Sequence, residues 1–377
     1  MPVDDEPVNR PDVQPDPIYH DPEDWPLATS DIPGIGGELK VEPAHFVVEE
    51  IPLYEPCGEG EHVYVRVTRE GWTTRDLQRE IADLFNLKNS HLGCAGLKDK
   101  HARATQTFSI HLHKADPEEV AERIESDLGV RVDWATRHNN KIRRGHLIGN
   151  RFSVVLLNPT DPERASHQAH QIAHELRQHG LPNYFGAQRL GENCENARHG
   201  REILLGQRQK RGRWIRKFLM SAYQSWLFNR WLAERIDRGW FDQVLEGDVA
   251  KKTDTGGLFD VEDLVQERPR FVRDEITYTG PIYGHRLWWA KGDPGELEAL
   301  VVANEGITDR HWAQARLKGT RRRARIVLHD LEVEDHPEGL HFRFSLPKGA
   351  YATTVLREFQ QPLAVRDQGS GNLHRLH

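Results

Sequence analysis

The sequence predicts an α+β protein built on a central mixed sheet, with a smaller α/β lobe carried as an insertion. Three observations lead there. Runs of period-two alternation, such as Val63, Val65 and Val67, are interleaved with capped amphipathic helices in irregular order, not in regular βαβ units. Beyond about residue 208 the texture changes to one long helical pattern and a segment rich in Gly, Pro and Thr. An alternating run, Leu340 to Leu346, then resumes where it could close the first sheet. The division expected is an acidic disordered tail at 1–32, a main domain at 33–208 with 334–372, and an inserted domain at 209–333.

Taken in order, residues 1 to about 30 hold seven prolines and many acids with few large apolar groups, too little apolar surface to offset the entropy of folding. Glu38-Leu39-Lys40-Val41-Glu42 is a strand candidate that Pro43 ends, Phe46 to Ile51 is a second, and His62 to Thr68 a third. Thr73, with Asp76 three residues on, starts a helix with the stripe Leu77, Ile81, Leu84 and Phe85. Residues 106 to 113 alternate Phe108, Ile110 and Leu112 as a half-buried strand. Asp116-Pro117 opens a helix with Val120, Ile124 and Leu128 inward and Gly129 at its end. Residues 131–134 and 151–157 are β candidates, and Asp161-Pro162 caps a helix with Ala165, Ala169, Ile172, Ala173 and Leu176 inward. Residues 218–238 carry the longest helical pattern, and 325–329 alternate as a strand.

At 377 residues the chain has room for two domains. No apolar run reaches the roughly 18 to 20 residues that cross a bilayer, and the acidic start lacks a signal-peptide core, so a cytoplasmic protein is expected. Cys57, Cys94 and Cys194 form neither a CxxC pair nor a disulfide framework, and no histidine spacing resembles a ligand set, so no metal is expected. The net charge of −7 hides an asymmetry: residues 1–50 carry thirteen acids against two basic residues, net −11, which leaves +4 on the rest. The positive charge is clustered at Arg137 to Arg151, including Arg143 and Arg144, at Arg208 to Lys217, including Arg211 and Arg213, and at Arg316 to Arg325, including Arg321, Arg322 and Arg323. Three basic blocks on a near-neutral body suit a polyanion, since phosphate binding follows local charge.

The stretch Gly96-Leu97-Lys98-Asp99-Lys100-His101-Ala102 feeds the 106–113 strand and holds one carboxylate between two lysines. A flanking ammonium favours the charged form, so Asp99 is expected ionised and available as a nucleophile. A solvated turn of mixed charge is the plainer reading of such a motif.

The company of this motif carries a resemblance. Gly96-Leu97-Lys98-Asp99-Lys100 with Ala102 and Gln106, Arg144-Gly145-His146 with Gly149-Asn150-Arg151-Phe152, residues 182–189, Leu346-Pro347-Lys348-Gly349-Ala350-Tyr351-Ala352-Thr353, and Leu39-Lys40 with Pro43, Phe46 and Glu50 resemble, in order, the motifs of the TruD-type tRNA pseudouridine synthases. Ala104, Ala187 and Tyr351 stand where that family commonly has a threonine, an acid and a phenylalanine. The resemblance implies a pseudouridine-synthase-like catalytic domain with an inserted TRUD-type domain and conversion of one uridine of tRNA to pseudouridine, with no cofactor and no obligate protein partner. It implies Asp99 as nucleophile, Phe152 as stacking face for a flipped-out base, Asn150 as positioner of the Asp99 loop, Phe46 and Tyr351 as pocket walls, and Lys40 as ion-pair partner of Asp99. Asn183 and Phe185 repeat the Asn-x-Phe spacing as a second choice, and Gln106 either ties the loop backbone or touches substrate. An RNA-binding module without catalysis is the alternative, and a hydrolase would need a second carboxylate across the cleft.

Overall fold

The computed structural model describes residues 24–39, 42–207 and 212–361. Its strands are β1 (Phe46–Pro52), β2 (His62–Arg69), β3 (Leu92–Cys94), β4 (Arg103–His111), β5 (Arg131–His138), β6 (Leu147–Leu157), β7 (Leu181–Pro182), β8 (Val249–Lys252), β9 (Leu258–Asp260), β10 (Ile276–Ile282), β11 (Thr320–Arg323), β12 (Arg325–Ile326), β13 (Glu332–His336) and β14 (Gly339–Pro347). The helices used below are α1 (Thr74–Leu84), α2 (Pro117–Leu128), α3 (Pro162–Gln178), α4 (Ala187–Leu190), α5 (Glu195–Leu204), α6 (Arg213–Asp237), α7 (Leu264–Val272), α8 (Gly292–Ala303), α9 (Asp309–Gln314) and α10 (Ala352–Gln360).

The large sheet runs β13-β14-β6-β1-β4-β2-β5, with β3 added to β4. It is mixed because β1 and β4 are parallel while the other pairs are antiparallel. The expected α+β class with a mixed sheet holds, and the alternating C-terminal run does return to it: β14 pairs β6 with Phe344 opposite Phe152 and Leu346 opposite Asn150. Gly149 is needed at this seam, since a Cβ there would meet the Leu346 carbonyl oxygen at 2.1 Å.

The helix signals fold as their local chemistry dictates. Thr73 accepts a bond from Asp76 N–H, Asp116 from Glu118 N–H ahead of Pro117, and Asp161 from Arg164 N–H, satisfying first-turn donors. Helices α1 and α2 bury Leu77, Ile81, Val120 and Ile124 against Val63, Val65, Val67, Phe108 and Ile110. Helices α3 and α10 cover the β1, β6 and β14 side, where Phe46, Phe152, Phe342 and Phe344 lie. A second sheet, β11-β10-β8-β9, packs with α6, whose Trp226 and Trp231 are fully buried.

Four expectations change. Strand β4 is buried on both faces from Ala104 to Ile110, not half-buried, because it lies between β1 and β2. Its polar side is paired internally: Ser109 Oγ accepts from Ile142 N–H at 2.9 Å, and the Thr105 and Thr68 hydroxyls meet at 2.7 Å. Its end at His111 leaves Leu112 and His113 outside it. The 325–329 strand shrinks to Arg325-Ile326, paired with β7. The tail does not extend to 32: Trp25 is buried and stacks on Tyr184 at 6.1 Å, and Thr29 Oγ1 donates to Glu358 Oε2 at 2.8 Å, tying this end to α10. Residues 1–23, Lys40, Val41, Arg211 and 362–372 lie outside the described residues, and with them part of the 38–42 strand candidate.

Candidate active site

Asp99 stands in the loop between β3 and β4, partly exposed, with its Oδ1 accepting from His101 N–H at 3.1 Å. A buried polar network fixes that loop. Gln106, fully buried, donates to the Gly96 carbonyl at 3.3 Å, so its role is to tie the backbone, and its Oε1 accepts from Arg69 at 2.7 Å and Thr74 at 2.9 Å. Thr74 Oγ1 accepts from Lys98 N–H at 2.8 Å. The Lys98 side chain turns inward and donates to Asn150 Oδ1 at 2.7 Å and Glu50 Oε2 at 3.2 Å. Burial lowers the Lys98 pKa and the Glu50 carboxylate opposes that shift, the balance lying below the ordinary lysine value. Burial likewise pushes Arg69 down to about 10.

These contacts set Asp99 on the wall of a cleft of about 550 Å³. Phe46 from β1, Asn150 and Phe152 from β6, and Tyr351 at the entry to α10 line the same cleft. Phe152 lies parallel to Phe344 at 5.4 Å and edge-on to Phe46 at 6.1 Å, which locks its ring in place. Leu97, Gln188, Lys348 and Thr353 also line the cleft. Sequence reasoning gave none of these four a role, although all of them fall inside the motifs. Asn183 and Phe185 do not line it: Asn183 is buried and donates to the Arg323 carbonyl, while Phe185 packs 6.3 Å from Tyr351.

The basic blocks separate by role. Arg143 and Arg144 are exposed in the turn before β6, next to Gly145, whose carbonyl accepts from Lys348 Nζ at 3.2 Å. Lys348 lines the cleft, whereas Arg323 is half-buried and donates to the Thr253 carbonyl at 3.0 Å. Burial, then Arg323 and Lys348, lower the Lys251 pKa. Arg213 is exposed at the start of α6. Arg321 corrects the expectation of a phosphate ligand: its side chain is 1% exposed, pairs with Glu298 at 2.7 Å and bonds Thr279 and Trp288. Arg322 is also spent internally. Its guanidinium bonds the Asn183 carbonyl at 3.1 Å, Asn183 Oδ1 at 2.7 Å and the Gly349 carbonyl at 2.9 Å, and lies 3.9 Å over the Phe185 ring. Burial pushes its pKa down to about 10. Among the described residues no group of three or more His, Cys, Asp and Glu side chains could hold a metal ion.

The mixed α+β fold that carries this cleft has a counterpart among solved structures. The fold matches a crystal structure from Methanosarcina mazei, given provisionally as tRNA pseudouridine synthase D (TruD), with a TM-score of 0.74 at 24% identity over 90% of this chain and 97% of that one. The chain belongs to the tRNA pseudouridine synthase D (TruD) family, whose model matches residues 25–211 and 209–359. It is 43% identical over 343 residues to tRNA pseudouridine synthase D of Anaeromyxobacter dehalogenans strain 2CP-1, spanning 89% of this chain and 96% of that protein. Its identity to a Thermus thermophilus protein of the same name is 41% over 344 residues, covering 91% and 94%.

Proposed function

We propose that this enzyme converts one uridine of tRNA to pseudouridine with Asp99 as the nucleophile acting on a base flipped into the 550 Å³ cleft. The observation that carries the reading is the convergence of Asp99, Phe46, Asn150, Phe152 and Tyr351, from four separate stretches of chain, on one cleft. The net reaction exchanges bonds without redox change: N1–C1′ breaks, C5–C1′ forms, C5 loses a proton and N1 gains one. Asp99 attacks uracil C6 or ribose C1′, and its departure completes the isomerisation.

The chain's own residues supply position and polarity. Lys98, held by Glu50 and Asn150, keeps the loop in register with β1 and β6. Phe152 offers a pre-set face and Tyr351 a second aromatic surface, and base–aromatic stacking contributes about 1–3 kcal/mol per base. Arg143 and Arg144, exposed beside the Gly145 carbonyl that accepts from cleft-lining Lys348, are assigned to phosphates together with Lys348, and Arg323 is assigned to phosphate by its basic block. Arg211 and Lys40, outside the described residues, are assigned to phosphate by the clustering of basic residues and to Asp99 by the motif match, respectively. Asp99 is the carboxylate among the described residues that line the cleft, which disfavours paired-carboxylate hydrolysis. Residues 33–208 with 334–372 are taken as the catalytic domain and 209–333 as the inserted one, since β14 pairs β6 while β8 to β11 make their own sheet. A tRNA substrate supports a cytoplasmic location. No helix of the described residues is long and apolar enough to cross a membrane.

The test is tritium release from tRNA transcribed with [5-³H]uridine, which reports loss of the C5 hydrogen. Wild-type protein releases about one tritium per modified tRNA. Release by Asp99→Asn at the wild-type rate would remove the nucleophile assignment, and binding without any release by wild type would favour a non-catalytic RNA-binding module.

A further inference from the structure

A second cleft, of about 860 Å³, opens beside the start of α6. Arg213, Arg216 and Lys217 line it from α6, Leu204 from α5, and His311 and Arg316 from α9 and the turn after it. The sequence separates these cations by about a hundred residues, and the fold brings them together. All four Arg and Lys side chains are exposed. Two neighbouring acids are committed elsewhere: Glu202 lies against Arg198 and His199, and Glu305 pairs with Arg201 and Arg230 at 3.3 and 2.7 Å. Among the described residues none of the four cations has a carboxylate partner.

The arrangement works against local stability. Three cations fall in the first two turns of α6, where the helix dipole disfavours positive charge, and no acid offsets them in the first turn. Arg316 sits at φ +56°, the left-handed conformation in which Gly or Asn is the relaxed choice. The His311 ring takes the Thr308 N–H on Nδ1 at 3.0 Å, which leaves Nε2 as the ring nitrogen that can carry the donor hydrogen. Trp214, next to Arg213 in α6 but outside the lining of this cleft, is 67% exposed, its ring held parallel to Phe218 at 5.9 Å and 10°. Phe218 in turn lies under Arg189 at 5.2 Å, the neighbour of Gln188 on the catalytic cleft, so α4 links the Trp214 face of α6 to the catalytic cleft.

We infer that this cleft is a second RNA-binding site, in which Arg213, Arg216, Lys217 and Arg316 hold backbone phosphates of the tRNA outside the target nucleotide, while Trp214, exposed on the same helix next to the cleft, stacks on an unpaired base. The inference rests on the tRNA reading and extends it to a surface remote from the chemistry. Cations from separate elements converging on one cleft suit a folded polyanion, and a flat exposed indole adds recognition of a base face.

The test uses the full chain, an unmodified tRNA transcript, and a short stem–loop carrying the uridine mapped in the wild-type reaction. Arg216→Glu with Lys217→Glu weakens binding of the whole tRNA at least tenfold and lowers the slope of log K against log salt by about 2, since each phosphate neutralised by a cation adds about 0.9 to that slope. The short stem–loop is bound and modified as by wild type. Trp214→Ala weakens tRNA binding about 5- to 150-fold and Trp214→Phe recovers most of it. Arg316→Glu follows the double variant. An unchanged affinity and salt slope in the double variant, with a native melting curve, overturns the inference. So does an equal loss on stem–loop and whole tRNA, which would trace the effect to the catalytic cleft or the fold. Failure of the wild-type protein to form pseudouridine strikes the activity assignment instead, because the binding measurements do not depend on turnover.

Discussion

Lys98 donates to Asn150 Oδ1 at 2.7 Å, so the residue next to Asp99 is bolted to the strand that presents Phe152. The same ammonium reaches Glu50 at 3.2 Å, and the two side chains are 4% and 2% exposed. The Asp99 loop, the strand that carries Phe152 and β1 are therefore held by Lys98 with Asn150 and Glu50.

Removing one partner strands the other's charge in the interior. Lys98→Met is expected to cost about 3–5 kcal/mol in denaturant unfolding. Combining it with Glu50→Gln should return a large part of that. Equal stability of wild type and Lys98→Met would show that the pair contributes nothing net.

Asp99→Asn is expected to lower turnover by several orders of magnitude while RNA affinity stays within about tenfold, since a nucleophile acts in the chemical step. Single-turnover assays and filter binding on one tRNA separate the two. Parallel loss of both would mean that the substitution disturbs binding.

Tyr351→Phe should keep kcat/KM within about twofold, while Tyr351→Ala lowers it about 5- to 150-fold through loss of stacking surface. If the phenylalanine variant fails as badly as the alanine variant, the hydroxyl rather than the ring is what matters.

Arg322→Lys is expected to reduce activity without altering the salt dependence of RNA binding. Lysine cannot reproduce the fork that spans Asn183 and Gly349, and Gly349 lines the catalytic cleft. A shallower salt slope in this variant would return Arg322 to the RNA-binding surface.

The acid limb of stability has an identifiable contributor. The His62 pKa is lowered by burial and then by His111, whose ring lies 4.9 Å away, and burial also lowers His138. A folded pKa below the unfolded value means that the unfolded chain binds more protons, so stability is present above about pH 6.5 and is lost as pH falls through the folded value. Replacing His62 by Gln should shrink the fall in Tm between pH 6.5 and 5 by on the order of 1 °C, allowing for the partial exposure of the ring. An identical acid limb in the variant would assign the loss to other groups.

The amino-acid sequence by itself determined the elements whose signals are local. Thr73, Asp116 and Asp161 mark helix starts because the donors they satisfy lie within three residues. The alternation from Leu340 to Leu346 marks a one-sided strand because period two is a property of the strand alone. The ordered motifs likewise pointed to Asp99, Asn150, Phe152 and Tyr351, and these four line one cleft. Only the tertiary structure decided what each charge does. Arg321 and Arg213 look alike in a basic run, yet one is buried on Glu298 and the other is exposed at a cleft. Lys98 looks like a solvated loop lysine until β1 and β6 bring Glu50 and Asn150 to it from 48 and 52 residues away. Arg316 joins Arg216 only when α9 packs beside α6. Desolvation and pairing are set by neighbours distant in sequence, and a charged side chain carries no local pattern that announces them.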